Sequence, residues 1–434
     1  MMKKITFLLT LFITGFSFGQ QAIGDELISG GTFEGNGTNA QPPAPWNSNF
    51  KATVRGGAGN GADGTARWIR LEKHASTQAY INQDFTIVPG NSYTVTYWYK
   101  YNSTPTPTQD LKLTIKDITG GTAGAPTIGS KDIDKTKTSW FKDSFTFTAD
   151  AGETLARLTM FRAGGGVTQF FIDEISVKVL TADLNVTSGT TTISANKEYT
   201  NVNVSAGANL VVNSGITLAA SDINLNSTSS SYSSLISEGT ITGTVNYKRY
   251  TNIAGSGASG GNDLVSSPVT GQTFGSFATA NTNLANSGIE RGFAPYNNGT
   301  GAYENYDTTD NTATTIDAGK GYRAATTDGS NLTYSGSANT GNINVAISVG
   351  ASNAWNLTGN PYPSYITFAT FYTANKAQFD AGSQAIYGYN DGGWTTWNQA
   401  TVDAAGGELI APGQGFFVKA KTGGGSVGFT NLMR

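Results

Sequence analysis

The chain has 434 residues, enough for two or three domains with cores of their own. Charged residues make up 13 %, about half the roughly 25 % of an ordinary globular protein, and Gly, Ser, Thr and Asn take their place, as in extracellular all-β proteins with many tight turns. A formal charge of −3 is unsuited to nucleic acid or an anionic membrane surface; the absence of cysteine rules out disulfides and thiolate metal sites, and a single histidine, His74, rules out a zinc site built on several imidazoles.

Residues 1–19 read as a secretory signal peptide: Lys3 and Lys4, an apolar run from Ile5 to Phe18, then a small residue before Gln20. Its removal takes the formal charge from −3 to −5. The run is too short for a membrane span, and no later stretch is apolar enough for one.

Residues 20–180 alternate as strands: Trp68 to Glu72, Ile81 to Ile87, Tyr93 to Lys100, Leu111 to Ile115, Phe141 to Phe147, Leu155 to Phe161 and Phe170 to Val179. Seven or more short alternating strands without helical periodicity predict a β-sandwich. The segment Gly30-Gly31-Thr32-Phe33-Glu34 opens it and Ile172-Asp173-Glu174-Ile175-Ser176-Val177 closes it. Alternation places Asp173 on one strand face with Phe171, Ile175 and Val177, an acid pointing into an apolar interior, where it needs a cation or several donors. Strand parity sets Trp68, Arg70 and Glu72 outward together, and likewise Tyr80, Asn82 and Asp84, then Trp98 and Lys100, and Arg157 opposite Leu158.

Residues 181–250 change character, with short apolar–polar pairs such as Leu184-Asn185-Val186, Val202-Asn203-Val204 and Ile223-Asn224-Leu225 punctuated by Gly207, Gly215 and Gly239. They predict a short β-solenoid-like, β-rich spacer with too few similar turns for a full β-helix.

Residues 251–434 contain a duplication with halves at about 251–340 and 341–434. Leu264-Val265-Ser266-Ser267-Pro268 aligns with Leu357-Thr358-Gly359-Asn360-Pro361, Phe277 to Asn281 with Phe371 to Asn375, and Ala318-Gly319-Lys320-Gly321-Tyr322 with Pro412-Gly413-Gln414-Gly415-Phe416. Each half also carries a turn flanked by aromatics, at Tyr296-Asn297-Asn298-Gly299 and Tyr389-Asn390-Asp391-Gly392. Neither Gly-x-Gly pair precedes a helix, so neither reads as a phosphate loop. The expected fold class is all-β: an N-terminal jelly-roll sandwich, the spacer, and a duplicated C-terminal β region.

The opening Gly-Phe-acid segment and the Asp-bearing closing strand resemble the carbohydrate-binding jelly-roll modules of the CBM4/9 type, over roughly residues 22–180. The resemblance implies polysaccharide binding without catalysis in an aromatic-lined cleft, with Trp68, Arg70, Glu72, Tyr80, Trp98 and Arg157 as candidate sugar contacts. It also implies a structural calcium held by Glu34 and Asp173 with the Gly30 and Thr32 carbonyls. The competing expectation has Asp173 bonded to backbone amides and Glu34 in solvent. The second half of the duplication, with Gly359-Asn360-Pro361-Tyr362-Pro363 and Pro412 to Val418, resembles a region common in secreted proteins of Bacteroidetes. That likeness implies a secreted or cell-surface location with a surface-anchoring partner, and commonly a C-terminal type IX sorting domain; none is read before Arg434, so either that tail lies beyond this sequence or the route of export differs. The rival functions are a cell-surface adhesin or scaffold and, third, a polysaccharide-degrading enzyme working through two carboxylates or a Tyr/Lys pair.

Overall fold

The computed structural model of the protein describes residues 21–35, 37–49, 51–72, 78–103, 110–163, 169–255, 261–390, 393–404 and 407–434. The expected signal segment and His74 lie outside the described residues. The chain divides into two compact units, one ending at Asp183 and the other running from Leu184 to Arg434.

Among its described residues the first unit has ten strands: β1 Asn47–Ser48, β2 Ala52–Gly56, β3 Arg67–Leu71, β4 Ala79–Thr86, β5 Ser92–Tyr101, β6 Asp110–Asp117, β7 Thr127–Asp132, β8 Phe141–Thr148, β9 Leu155–Ala163 and β10 Phe170–Thr181. They form two five-stranded sheets, β1-β4-β9-β6-β7 and β2-β3-β10-β5-β8, packed as a jelly-roll sandwich. The alternation read from the sequence holds: β5 is buried at every second residue, with Tyr93, Val95, Tyr97, Tyr99 and Tyr101 facing the core. Ile81, Phe85, Leu113, Ile115, Leu158 and Met160 supply the apposed layer. Arg162 is buried in that core as well, its guanidinium 5.8 Å from the centre of the Phe170 ring.

One strand departs from simple alternation. Asp173 pairs with Trp98 and Ser176 with Thr96, so Glu174 and Ile175 together oppose Tyr97 in a β-bulge, with Glu174 at φ 46°. The extra residue reverses the parity of the strand. Asp173 therefore shares a face with Phe171 and Trp98, whereas Ile175 and Val177 join Phe170 and Ile172 on the core side. This corrects the expectation that Asp173, Ile175 and Val177 share a face. Beside the bulge, the Ile175 N–H donates to the Gly31 carbonyl at 3.1 Å, and a Cβ on Gly31 would lie 1.9 Å from the Ile175 oxygen. The opening and closing segments meet there, and only glycine allows so close an approach.

The second unit opens with β11 Asp183–Val186, β12 Thr190–Ile193, β13 Lys197–Val204, β14 Asn209–Val212, β15 Thr217–Leu225, β16 Ser234–Ser237 and β17 Thr240–Tyr250. β13, β15 and β17 pair in parallel, as do β12, β14 and β16, making a β-solenoid of about three turns. Equivalent residues stack: Val202, Ile223 and Val245 inside, and Asn185, Asn203, Asn224 and Asn246 outside, each amide donating to the one before it at 3.0–3.3 Å.

The duplication is visible as two copies of one element order. The first half runs from strand Asp263–Ser266 through α1 Phe274–Ala280, strands Phe293–Asn297 and Ala302–Tyr303, and strand Gly321–Ala324 to strand Asn331–Ala338. The second runs from Trp355–Gly359 through α2 Phe368–Asn375, Ala385–Asn390 and Gly393–Asn398, and Gly415–Lys419 to Gly425–Phe429. The Gly-x-Gly motifs mark where the halves cross: Gln414 bridges to Val265, and Lys320 bridges to Thr358. A Cβ on Gly415 would stand 2.7 Å from the Val265 nitrogen. The aligned asparagines are latches. Asn281 donates to the Phe277 and Thr333 carbonyls and accepts from the Thr333 N–H. Asn375 does the same with Phe371 and Gly428. Each ties the end of a helix to the last strand of its half. Both are buried, so Asn375→Ala is expected to lower the stability of this unit by about 1–3 kcal/mol in urea denaturation, because two strand groups lose their partner. An unchanged midpoint would show that water replaces the latch.

Candidate functional site

The outer face of the β2-β3-β10-β5-β8 sheet collects the polar and aromatic side chains that parity turns away from the core. Two rows cross it. Arg55 pairs with Trp68, Asp173 with Trp98, and Trp98 with Lys142. In the second row Thr53 pairs with Arg70, Arg70 with Phe171, and Phe171 with Lys100. Trp140 joins them from the turn before β8: its indole N–H donates to the Asn60 carbonyl at 2.9 Å, and its ring meets Trp68 edge-on at 6.5 Å between centres. The Lys100 ammonium lies 4.5 Å from the centre of the Trp140 ring, and that of Lys142 lies 5.8 Å from Trp98. Burial holds the Lys100 pKa below its ordinary value. Glu72 accepts from Arg55 at 3.0 Å, from Arg70, and from the Thr53 hydroxyl at 3.2 Å.

Four donors on this face are shielded from solvent and find no acceptor among the described residues: Nε of Arg55, Nε1 of Trp68, Nε of Arg70 and Nε1 of Trp98. Shielded donors left unsatisfied are uncommon and costly. They lie on β2, β3 and β5 beneath half-buried indoles; what the face presents outward is indole faces beside guanidinium and ammonium groups, which fits a ligand with C–H faces and oxygen acceptors.

Of the six candidate sugar contacts, Trp68, Arg70, Glu72 and Trp98 are together here. Tyr80 and Arg157 are not. They belong to β4 and β9, on the outward side of the opposite sheet, where Arg157 makes a bidentate ion pair with Asp84 at 2.5 and 2.8 Å. Parity gives inside or outside for each strand, and says nothing of which sheet the strand joins. Lys142, Phe171 and Trp140 were not singled out. The parity of Phe171 was available, whereas Trp140 sits in a turn and only the β5–β8 pairing brings it to the face.

Two of the four candidate metal ligands, Asp173 and Glu34, make a hydrogen-bonded clasp. Asp173 is fully buried, beneath the loop that follows β2: its Oδ2 accepts from the Ala62 N–H and the Thr65 hydroxyl, both at 2.9 Å, and its Oδ1 from the Glu174 N–H at 2.9 Å. Glu34 Oε1 accepts from the N–H groups of Ala66 and Arg67 at 2.8 and 2.6 Å. The Gly30 carbonyl accepts from the Trp46 indole at 3.1 Å, and Thr32 lines a neighbouring cleft of about 620 Å³. Both acids thus hold one loop, and their bonded oxygens face N–H and O–H donors. That does not fit a calcium cage, which takes roughly six to eight oxygens, and no group of three or more acids or histidines suited to a metal occurs among the described residues.

Burial pushes the Asp173 pKa up to about 7, against the pull of its three donors. Between about pH 4 and 7 the folded chain then holds a proton that the unfolded chain has released, so raising the pH through this window costs stability. The melting temperature is expected to fall from pH 5 to pH 8 in the native chain and to lose most of that slope in Asp173→Asn. Equal slopes would place the titration elsewhere. Calcium and EDTA are expected to leave the native melting temperature unchanged within about 1 °C, since a bound cation would stabilise by mass action; a rise of several degrees with calcium would restore the metal.

A family model described as "Carbohydrate binding domain" (CBM_4_9) matches residues 25–163. Among solved structures, the chain is similar to an arabinose-bound MgGH51 α-L-arabinofuranosidase, at 14 % identity over 37 % of this chain and a TM-score of 0.30; the match spans 27 % of that enzyme. It is similar to TmCBM61 in complex with β-1,4-galactotriose, at 14 % identity, 36 % of this chain, 99 % of that one and a TM-score of 0.27. It is also similar to the CBM22-1 xylan-binding domain of Xyn10C from Paenibacillus barcinonensis, at 16 % identity, 37 % and 98 % coverage and a TM-score of 0.27. No curated protein matches the chain. A second family model matches residues 173–434, more than half of the sequence, and the chain therefore belongs to the family described as "Domain of unknown function (DUF8693)".

Proposed function

We propose that the protein binds polysaccharide, without chemistry, on the outer face of the β2-β3-β10-β5-β8 sheet. The observation that carries this is the cluster of three half-buried indoles, Trp68, Trp98 and Trp140, set among Arg55, Arg70, Lys100 and Lys142 on one sheet face. The match of residues 25–163 to a carbohydrate-binding family supports the same ligand class.

The chemistry suits a sugar chain. Axial C–H groups pack on indole faces, and the Arg55–Glu72–Arg70 cluster offers planar charged partners to paired hydroxyls. Arg55, Arg70, Lys100 and Lys142 outnumber Glu72 and Asp173 and leave the face positive, so chains bearing carboxylate or sulfate groups are favoured over neutral ones. Affinity is modest, because many hydroxyls must be desolvated for little apolar burial. Export to the cell exterior is part of this proposal, as is a surface-anchoring partner.

The test is affinity electrophoresis of the full chain through gels cast with galactan, xylan, pectin or alginate. Retardation is expected on at least one, weakened tenfold or more in Trp98→Ala and strengthened at low salt. Loss in Tyr80→Ala with Trp98→Ala unaffected would move the site to the opposite sheet. Release of reducing ends from any of the gels' polysaccharides would favour an enzyme.

A further inference from the structure

The aromatic turns that the duplication repeats converge in the second unit. From the first half, Tyr296 and Tyr303 pair across a hairpin with ring centres 5.4 Å apart. From the second, Tyr389 and Trp394 pair across the equivalent hairpin at 5.2 Å, next to Tyr387. Both sets close on Phe417, whose ring centre lies 5.0 Å from Tyr296, 6.2 Å from Tyr303, 5.9 Å from Trp394 and 6.5 Å from Trp355. Phe417 is 6 % exposed and forms the floor; Trp394 is 58 % exposed and forms the rim. The result is a bowl of about 350 Å³ walled by six aromatic rings, within the roughly 300–1,000 Å³ of small-molecule sites.

The other face of this sheet packs against Tyr362, Phe368 and Phe371, and the bowl's rings gather with Leu264 and Leu357 into a smaller cluster of their own that leaves Trp394 exposed. A second cleft, of about 490 Å³, shares Tyr296 with it and is lined with hydroxyl-binding groups, among them Asn297, Asn298, Glu304, Asp317 and Asn356. Apolar ring faces running directly into amides and carboxylates match an alternation of C–H faces and hydroxyls. An alkyl chain would leave the polar cleft unused. A quaternary ammonium group would find no carboxylate among the six walls and a guanidinium close by, for Arg323 lies 4.3 Å from the centre of the Tyr303 ring.

We propose that this bowl is a second glycan site, which stacks one pyranose of an uncharged polysaccharide on Trp394 and Trp355 over Phe417 and places the neighbouring sugar in the asparagine-lined cleft. The site is built only when both halves of the duplication are present, and it is independent of the N-terminal face.

The test uses the full chain carrying Trp98→Ala, in gels cast with galactan, xylan, glucomannan or a mixed-linkage β-glucan. Residual retardation on at least one is expected, falling tenfold or more when Trp394→Ala is added and returning in large part with Trp394→Phe, which keeps a flat ring. The exposure of Trp394 makes an unchanged melting temperature the check on folding. Loss of all retardation in Trp98→Ala alone would overturn the second site and leave the N-terminal one standing. Retardation lost in Trp394→Ala but indifferent to Trp98→Ala would support the bowl and remove the N-terminal reading. No retardation of the native chain would overturn both. Quenching of tryptophan fluorescence by tetramethylammonium or by a proline-rich peptide, and not by the glycans, would overturn the sugar in favour of that occupant.

Discussion

A strand presents successive side chains to opposite faces, and most of this molecule follows from how that constraint is used on both sides of its sheets. In the N-terminal sandwich one face of each sheet makes the core. The other face of one sheet carries indoles, guanidinium groups and ammonium groups whose polar atoms the protein does not fully satisfy. The bulge at Glu174 makes this possible, because a strand of unbroken parity could not place Asp173 beside Trp98 and still bury both Ile172 and Val177. Asp173 in turn anchors the loop over that face through Ala62 and Thr65, so the acid that looks out of place in the sequence shapes the surface on which the indoles lie.

The second unit reaches a similar end through repetition. Parallel stacking in the solenoid puts like on like, with apolar residues inside and an asparagine ladder outside. In the duplicated region each half supplies a strand for the other's Gly-x-Gly segment to cross, and glycine is needed there because the backbones are closer than a Cβ allows. The asparagine after each helix latches that helix to its own half. These contacts explain why the motifs recur in the sequence without any phosphate to bind. They also bring the two aromatic hairpins over one phenylalanine.

Both candidate surfaces therefore share a physical character: aromatic rings left partly uncovered on a sheet whose opposite face is fully packed. They differ in charge. The N-terminal face is basic and rich in donors, and the C-terminal bowl has no charge in its walls and borders a cleft of amides and carboxylates, so the two suit different polysaccharide chemistries.

Much of this was legible in the amino-acid sequence alone. Composition and alternation were enough for an all-β fold, because period-two burial is a local property; the opening and closing segments of the sandwich and the duplication were plain, because each is written in a few contiguous residues. Trp68, Arg70 and Trp98 could be placed outside the core for the same reason. Tertiary structure alone decided which outward residues meet. Tyr80 and Arg157 obey the same parity as Trp68 and Trp98 yet end on the other sheet, since strand order is set by long-range pairing. Asp173 changed faces through a bulge, a backbone choice with no local signature in Asp-Glu-Ile. Glu34 and Asp173, the acids expected at a calcium, both accept from N–H donors on a loop that strand parity does not bring to them. Trp355, Trp394 and Phe417 each look like ordinary strand aromatics; only the crossing of the two halves turns them into one concave surface.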